Sequence, residues 1–286
     1  MDTFSTTLDW SRQNLATLPE RLWHHSHLQR LNLGENHLTT LPPAIGKLHN
    51  LTHLYLHNNV LTHLPETLGN LSHLHTLDLG HNRLGELPAS LGNLPHLEIL
   101  YASDSQLTEL PETLGNLPRL RYLNATDNRL TTLPETLGNL SALVELRLYN
   151  NLLTSLPDTL GQLNHLKELH LKNNALTHLP ASLGPLKNLM RLSLANNALT
   201  TLPDTLSEMT ALTSLDLRNN SLTHLPNLCT LSHLRYLDLR ANRLRTLPDN
   251  LAALPNLERL DLRWLPLDTL PTWIQDLEAR GCLVYV

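Results

Sequence analysis

One spacing dominates this chain. Leucines that open a recurring LxxLxLxxNxL pattern fall at Leu28, Leu51, Leu74, Leu97, Leu120, Leu143, Leu166, Leu189, Leu212, Leu234 and Leu257. The interval is 23 residues throughout, except for one of 22 before Leu234. A fixed period of this length means a stack of similar units, each burying its apolar side only against its neighbours. It excludes the two-domain arrangement that 286 residues would otherwise suggest. Aromatic residues are only 4% of the chain and phenylalanine occurs once, at Phe4, so the core of the stack must be leucine.

Each unit divides in two. In LTHLYLHNNVL, Leu54 and Leu56 alternate with His53, Tyr55 and His57, the period of a strand with one buried face. In TxLPxxLGNL, apolar residues come every three or four positions and a proline ends the strand. This half should return along the outer face as a short 3₁₀ or irregular helical turn. The asparagines Asn36, Asn59, Asn82, Asn128, Asn151, Asn174, Asn197, Asn220 and Asn242 follow each strand where the chain turns inward. An inward amide carries two donors and an acceptor, enough to tie its own turn to the next, so these form a structural ladder. Asn150, beside Asn151, reads as an exposed neighbour. The glycines of LGN (Gly69, Gly92, Gly115, Gly138) suit a helical C-cap or close packing, not a phosphate loop.

With those residues in view, the motif LxxLxLxxNxLTxLPxxLGNL resembles the leucine-rich repeat family. Its 23-residue LPxxLG form is most similar to the intracellular branch, found in Ras-group proteins, Roco kinases and many bacterial proteins. The resemblance runs from about Leu8 to Leu277. It implies an α/β solenoid: a leucine-rich-repeat horseshoe with a parallel concave β-sheet and short 3₁₀ or irregular helical segments on the convex face. About twelve strands are expected from the unit count. The resemblance also implies protein recognition on the concave face, and it supplies no catalytic residue to carry over. The expected organisation is an N-terminal cap and degenerate first repeat over 1–27, eleven repeats over 28–277, and a C-terminal cap strand over 278–286. At the front, Trp10 stands for a core leucine and ERLWHHSHL is expected as a short helix. At the back, PTWIQDLEARGCLVYV reads as a helix, a Gly281 cap and a last strand. Trp273 should close that core, with Cys282 as a buried filler.

Because polar positions alternate with leucine, the inner face can be written as columns. One column reads Asn32, Tyr55, Asp78, Tyr101, Asn124, Arg147, His170, Ser193, Asp216, Asp238, Asp261. The next reads Gly34, His57, Gly80, Ser103, Thr126, Tyr149, Lys172, Ala195, Arg218, Arg240, Arg263. Structure asks little of these positions, so a ligand would leave its mark here. Tyr55, Tyr101, Tyr122 and Tyr149 are four of only six tyrosines, and His53, His57, His81, Asp104 and Asp127 surround them. Tyrosine buries large area at low entropy cost and keeps a polar tip, so this zone is the favoured partner site. A second zone, LDLRNN, LDLRAN and LDLRWL, sets Asp216, Asp238 and Asp261 beside Arg218, Arg240 and Arg263, with Trp264 exposed nearby. Self-neutralisation of those columns is the stronger reading, and docking of an acidic segment is the alternative.

Ala102 and Ala125 replace inward leucines in consecutive repeats, and Ser105 replaces a ladder asparagine. Two missing isobutyl groups would leave voids costing about 2–5 kcal/mol each if unfilled. Their position inside the tyrosine zone favours specialisation over drift.

The net charge of −5 is the wrong sign for a dedicated nucleic-acid binder, and no apolar run approaches the length needed to span a membrane. The start, MDTFSTTLDWSRQ, lacks the apolar run of a signal peptide. Cys229 and Cys282 make no disulfide framework, which points to a reducing compartment. The 17 histidines form no complete ligand set at zinc-like spacing, so no metal or cofactor is expected. No GxSxG, P-loop or HExxH occurs, and no enzyme is expected. The sequence therefore points to a monomeric, cytoplasmic, bacterial interaction module that binds a protein or peptide on its concave face. The alternative is a secreted effector, or the recognition part of a larger enzyme such as a ubiquitin ligase or kinase, continued beyond Val286.

Overall fold

The computed structural model describes residues 5–286, so the first four residues of the expected N-terminal cap lie outside the description. Alternation of leucine with polar residues gives three-residue strands whose central side chain points inward. The strands of the first half are β1 (Thr7–Asp9), β2 (Arg30–Asn32), β3 (His53–Tyr55), β4 (Thr76–Asp78), β5 (Ile99–Tyr101) and β6 (Tyr122–Asn124). They pair in parallel and in register, Leu31 against Leu54, Leu54 against Leu77, Leu77 against Leu100 and Leu100 against Leu123. Those five leucines are fully buried. In the second half lie β7 (Glu145–Arg147), β8 (Glu168–His170), β9 (Arg191–Ser193), β10 (Ser214–Asp216), β11 (Tyr236–Asp238), β12 (Arg259–Asp261) and β13 (Leu283–Tyr285). They too are parallel and in register with their neighbours. Thirteen strands among the described residues are the twelve of the unit count together with β13, the last strand expected after Gly281.

After most strands a proline with φ between −62° and −75° leads into a 3₁₀ turn, as at Glu66–Asn70, Ala89–Asn93 and Glu112–Asn116. Proline fixes φ and lacks an amide proton, which costs nothing at a helix start. Each turn buries one leucine against the back of the strands. The shortened repeat between β10 and β11 has no 3₁₀ helix: the missing residue is taken from the turn, while Ser214 stays opposite Tyr236.

The chain divides into two units, Met1–Leu143 and Val144–Val286, each a run of parallel repeats of the expected kind. Repeats touch only their sequence neighbours, so a stack has no central core that binds distant repeats together.

Two local expectations also change. Gly69, Gly92 and Gly115 are not C-caps. They sit inside the 3₁₀ turns, which are closed by Leu71, Leu94 and Leu117. Their role is close packing, because a Cβ there would lie 2.5, 2.3 and 2.2 Å from the carbonyl oxygens of Ser90, Thr113 and Thr136. Asn150 is not an inert neighbour either. It is one of a series with positive φ that includes Glu35, Asn58, His81, Asp104, Asp127, Asn173, Asn196, Asn219 and Trp264. The Asn150 side chain accepts from Asn173, Asn173 accepts from Asn196, and Asn196 accepts from Asn219, an outer amide row parallel to the buried one.

The buried ladder forms as read. Asn82 accepts from the Leu61 amide at 3.0 Å and donates to the carbonyls of Leu56 (3.0 Å) and Leu79 (2.9 Å). The ends are closed by Trp23 in the Glu20–His24 turn and by Trp273 ahead of α1 (Ile274–Ala279), with Gly281 at φ +89° leading into β13. Trp10 is only half-buried, with the Arg21 guanidinium 6.0 Å from its ring centre. The helix α1 lies within PTWIQDLEARGCLVYV, ahead of Gly281 and the last strand, as expected. Cys282 is buried, and burial pushes its thiol up, consistent with a filler.

Candidate functional site

In-register parallel strands place equivalent residues of adjacent repeats about 4.8 Å apart, so the outward positions form continuous rows. In the first unit the His53 and Tyr55 rings stack at 6.4 Å, and Tyr55 meets His57 edge-on at 6.4 Å. His57 packs against Gly34, where any Cβ would come within 2.6 Å of the imidazole, so a larger residue there would displace the ring. Its Nδ1 is 3.1 Å from an Asp78 carboxylate oxygen, in an orientation that makes no hydrogen bond. Burial, followed by the nearby Arg30 and His75 charges, holds His53 below its usual pKa. Farther along, Tyr101 and Tyr122 touch, with ring centres 5.1 Å apart and planes tilted by 53°. Ser103 is half-buried beside them, and Asp104 and Asp127 are exposed. Asp104 is held by His81 at 2.9 Å.

The three departures from the repeat lie beneath this tyrosine pair. Ala102, Ala125 and Ser105 are fully buried, so each acts only through the strands that display Tyr101 and Tyr122. Ser105 keeps half of the lost asparagine's work: its hydroxyl donates to the carbonyls of Leu79 and Ser103, both at 3.1 Å. It offers nothing to the Leu84 amide, the group an asparagine would have satisfied. Gly85, at φ +70°, instead turns its own amide onto the Ser105 carbonyl at 3.1 Å.

In the second unit Tyr149 is half-buried and Arg147 donates to Glu145 at 2.5 Å. The aspartate–arginine columns pair with each other. Arg218 lies 3.3 Å from Asp216 and 3.9 Å from Asp238, while Arg240 bonds Asp238 at 2.6 Å. Asp261, 1% exposed, takes Arg263 at 2.7 Å, Arg259 at 3.1 Å and Arg240 at 3.4 Å. Burial pushes the Asp261 carboxyl up, but hydrogen bonds from Arg263 and Arg259 outweigh it and hold the group below the ordinary carboxylate range. Asp216 goes the other way: burial dominates and raises it despite Arg218. Trp264 is 71% exposed, with the Arg240 and Arg263 guanidinium carbons 6.0 and 5.6 Å from its ring.

Sequence reasoning passed over two features of this unit. Tyr236, 47% exposed, helps line a concavity of about 340 Å³ together with Asp216, Arg218, Asp238 and Arg259. Glu145, Glu168 and His170 bring one ligand atom each within 4.8 Å of one another. Writing out the first outward position of every strand, which carries Tyr122, Glu145, Glu168, Arg191 and Tyr236, would have exposed Tyr236 and the glutamate pair, but not His170, which stands in the other outward row. Among the described residues, no helix is long and apolar enough to cross a membrane.

These repeats match known families. The family model described as leucine rich repeat matches residues 26–84, 164–222 and 212–265, and that of the leucine-rich repeat region matches 62–152. No curated protein matches significantly in sequence. Among solved structures, the chain is similar to a leucine-rich repeat protein of Leptospira interrogans, with 29% identity and a TM-score of 0.56. That alignment covers 98% of this chain and 95% of the other. It is similar to the plant peptide hormone receptor RGFR1 in complex with RGF2 (32% identity, TM-score 0.83, 94% of this chain and 45% of that one). It also resembles the Drosophila Toll–Spatzle complex (25% identity, TM-score 0.79, 91% and 41%). The chain therefore spans nearly all of the bacterial protein but less than half of the two receptors.

Proposed function

From the premise that the chain belongs to the leucine-rich repeat family, we propose that it is a non-catalytic scaffold binding a protein or peptide on the concave, strand-bearing face. The observation that carries this is the Tyr101–Tyr122 pair: two half-buried aromatic rings in contact, on a surface where folding requires only solubility. Rings already held against each other lose little freedom on binding, which makes them good anchors. His57, Tyr55, Ser103, Asp104 and Asp127 supply the surrounding polar contacts. Support also comes from relatives whose structures are complexes, RGFR1 with RGF2 and Toll with Spatzle. The aspartate–arginine columns of the second unit serve mainly to neutralise one another, so Arg218, Arg240, Arg263 and Trp264 are a secondary contact zone, beside Arg147 and Tyr149.

We assign the chain to the cytoplasm, because both of its cysteines are free, and to the intracellular LPxxLG branch on the form of its repeat. The test is titration of a partner obtained by affinity capture against Tyr101→Ala/Tyr122→Ala. Loss of at least about 2 kcal/mol of binding, with unfolding unchanged, is expected if the rings are anchors. Undiminished affinity of the folded variant would refute the assignment.

A further inference from the structure

Glu145 on β7 and Glu168 on β8 are direct neighbours in the register, so two carboxylates stand side by side on adjacent parallel strands. Like charges so placed destabilise a sheet unless something positive joins them. His170, two residues along β8 and on the same face, turns its Nε2 to within 3.1 Å of a Glu168 oxygen and 3.7 Å of a Glu145 oxygen. We propose that Glu145, Glu168 and His170 form a binding site for a first-row divalent cation, of which Zn²⁺ is the representative.

The spacing fits this chemistry. Ligand atoms about 2.0–2.2 Å from a tetrahedral zinc ion lie about 3.4 Å from each other; the two histidine–carboxylate separations bracket that value, and all three ligand atoms lie within 4.8 Å of one another. One imidazole nitrogen with two carboxylates is a borderline donor set that suits zinc better than magnesium or calcium, which prefer oxygen alone. All three side chains are partly exposed, so a cation can enter from solvent and keep a fourth position for water or for a donor from a bound partner. Two cations now occupy the neighbourhood: Arg147 on Glu145 at 2.5 Å and Arg191 on Glu168 at 3.5 Å. Arg147 is thus the metal's competitor for a shared carboxylate, which gives the proposal a test with two signs. The proposal is independent of the tyrosine site, since its measurement needs no protein partner.

Zinc is titrated into the full chain in competition with a chromophoric chelator, using the native protein, Glu145→Gln/His170→Asn and Arg147→Gln. A further variant, His73→Asn/His96→Asn, removes another histidine pair, whose rings stack at 6.3 Å and whose Nδ1 atoms already contact backbone carbonyls. The expected result is a saturable site weakened at least tenfold in Glu145→Gln/His170→Asn, tightened severalfold in Arg147→Gln, and unchanged in His73→Asn/His96→Asn. Native-like titration of Glu145→Gln/His170→Asn would overturn the proposal, as would equal or weaker binding by Arg147→Gln. Loss of the site in His73→Asn/His96→Asn would assign the zinc to that pair and overturn it equally.

Discussion

Removing one amide from the buried ladder, and restoring one where it is naturally missing, should move stability in opposite directions. Asn82 is almost fully buried and satisfies the Leu61 amide at 3.0 Å. In Asn82→Ala that N–H loses its acceptor. The three carbonyls it bonds keep other donors, Leu56 from Asn59 at 3.1 Å, Leu79 from Ser105 at 3.1 Å and Gly80 from the Asn58 amide at 2.9 Å. The cost is therefore one orphaned buried donor plus three weakened acceptors, about 2–4 kcal/mol in all. Ser105→Asn does the reverse. It supplies an acceptor to Leu84, for an expected gain of about 1 kcal/mol. Urea unfolding followed by circular dichroism measures both, with midpoints compared at equal slopes. Shifts within the ±0.5 kcal/mol of an inert surface change for both variants would refute the ladder argument. A clear loss in Ser105→Asn would show that the Gly85 turn, not a ladder amide, satisfies this repeat.

Asp261→Asn should destabilise at pH 7, because it breaks a buried carboxylate held by three arginines. Its folded pKa is depressed, so the stabilisation is present above the ordinary carboxylate pKa and disappears as pH falls through the folded value; native and variant unfolding curves should converge in acid. Asp216→Asn should be neutral or stabilising at pH 7, since burial raises that carboxyl and ionising it costs the fold, a cost absent below the ordinary value; paired pH series of the two variants check both signs. Gly92→Ala should lower stability by about 1–3 kcal/mol, read from the urea midpoint, because its Cβ would meet the Thr113 carbonyl at 2.3 Å and backbone must shift to admit it.

Much of this was legible in the chain itself, for identifiable reasons. Alternation fixed which residues of β3 or β5 face the core, and the leucine interval fixed which of them are neighbours. The ladder was readable because an asparagine at an inward turn has one evident task. What escaped reading depended on dihedrals and rotamers. Asn150 looks like surface, yet its backbone is left-handed and its amide belongs to an outer row that the letters NN do not announce. The LGN glycines allow both a cap and a close contact, and only the 2.2–2.5 Å approach of a neighbouring carbonyl decides between them. Glu145, Glu168 and His170 occupy two different outward rows, and their convergence comes from side chains leaning across the strand. Within the tyrosine zone, the sequence located Tyr101 and Tyr122 but not their contact, which depends on ring orientation. Likewise, Ser105 looked like a lost amide, whereas its hydroxyl and the Gly85 turn together rebuild part of the ladder.

The central claim is that a partner sits against the strand face at the tyrosine pair. A photoreactive phenylalanine analogue placed at Tyr101, and separately at Glu112 in a 3₁₀ turn of the same repeat, tests it without altering the fold. Irradiation in the presence of the captured partner should crosslink through position 101 and leave the position 112 protein uncoupled. Crosslinking through 112 with none through 101 would contradict the account, because the partner would then lie on the turns and not on the strands.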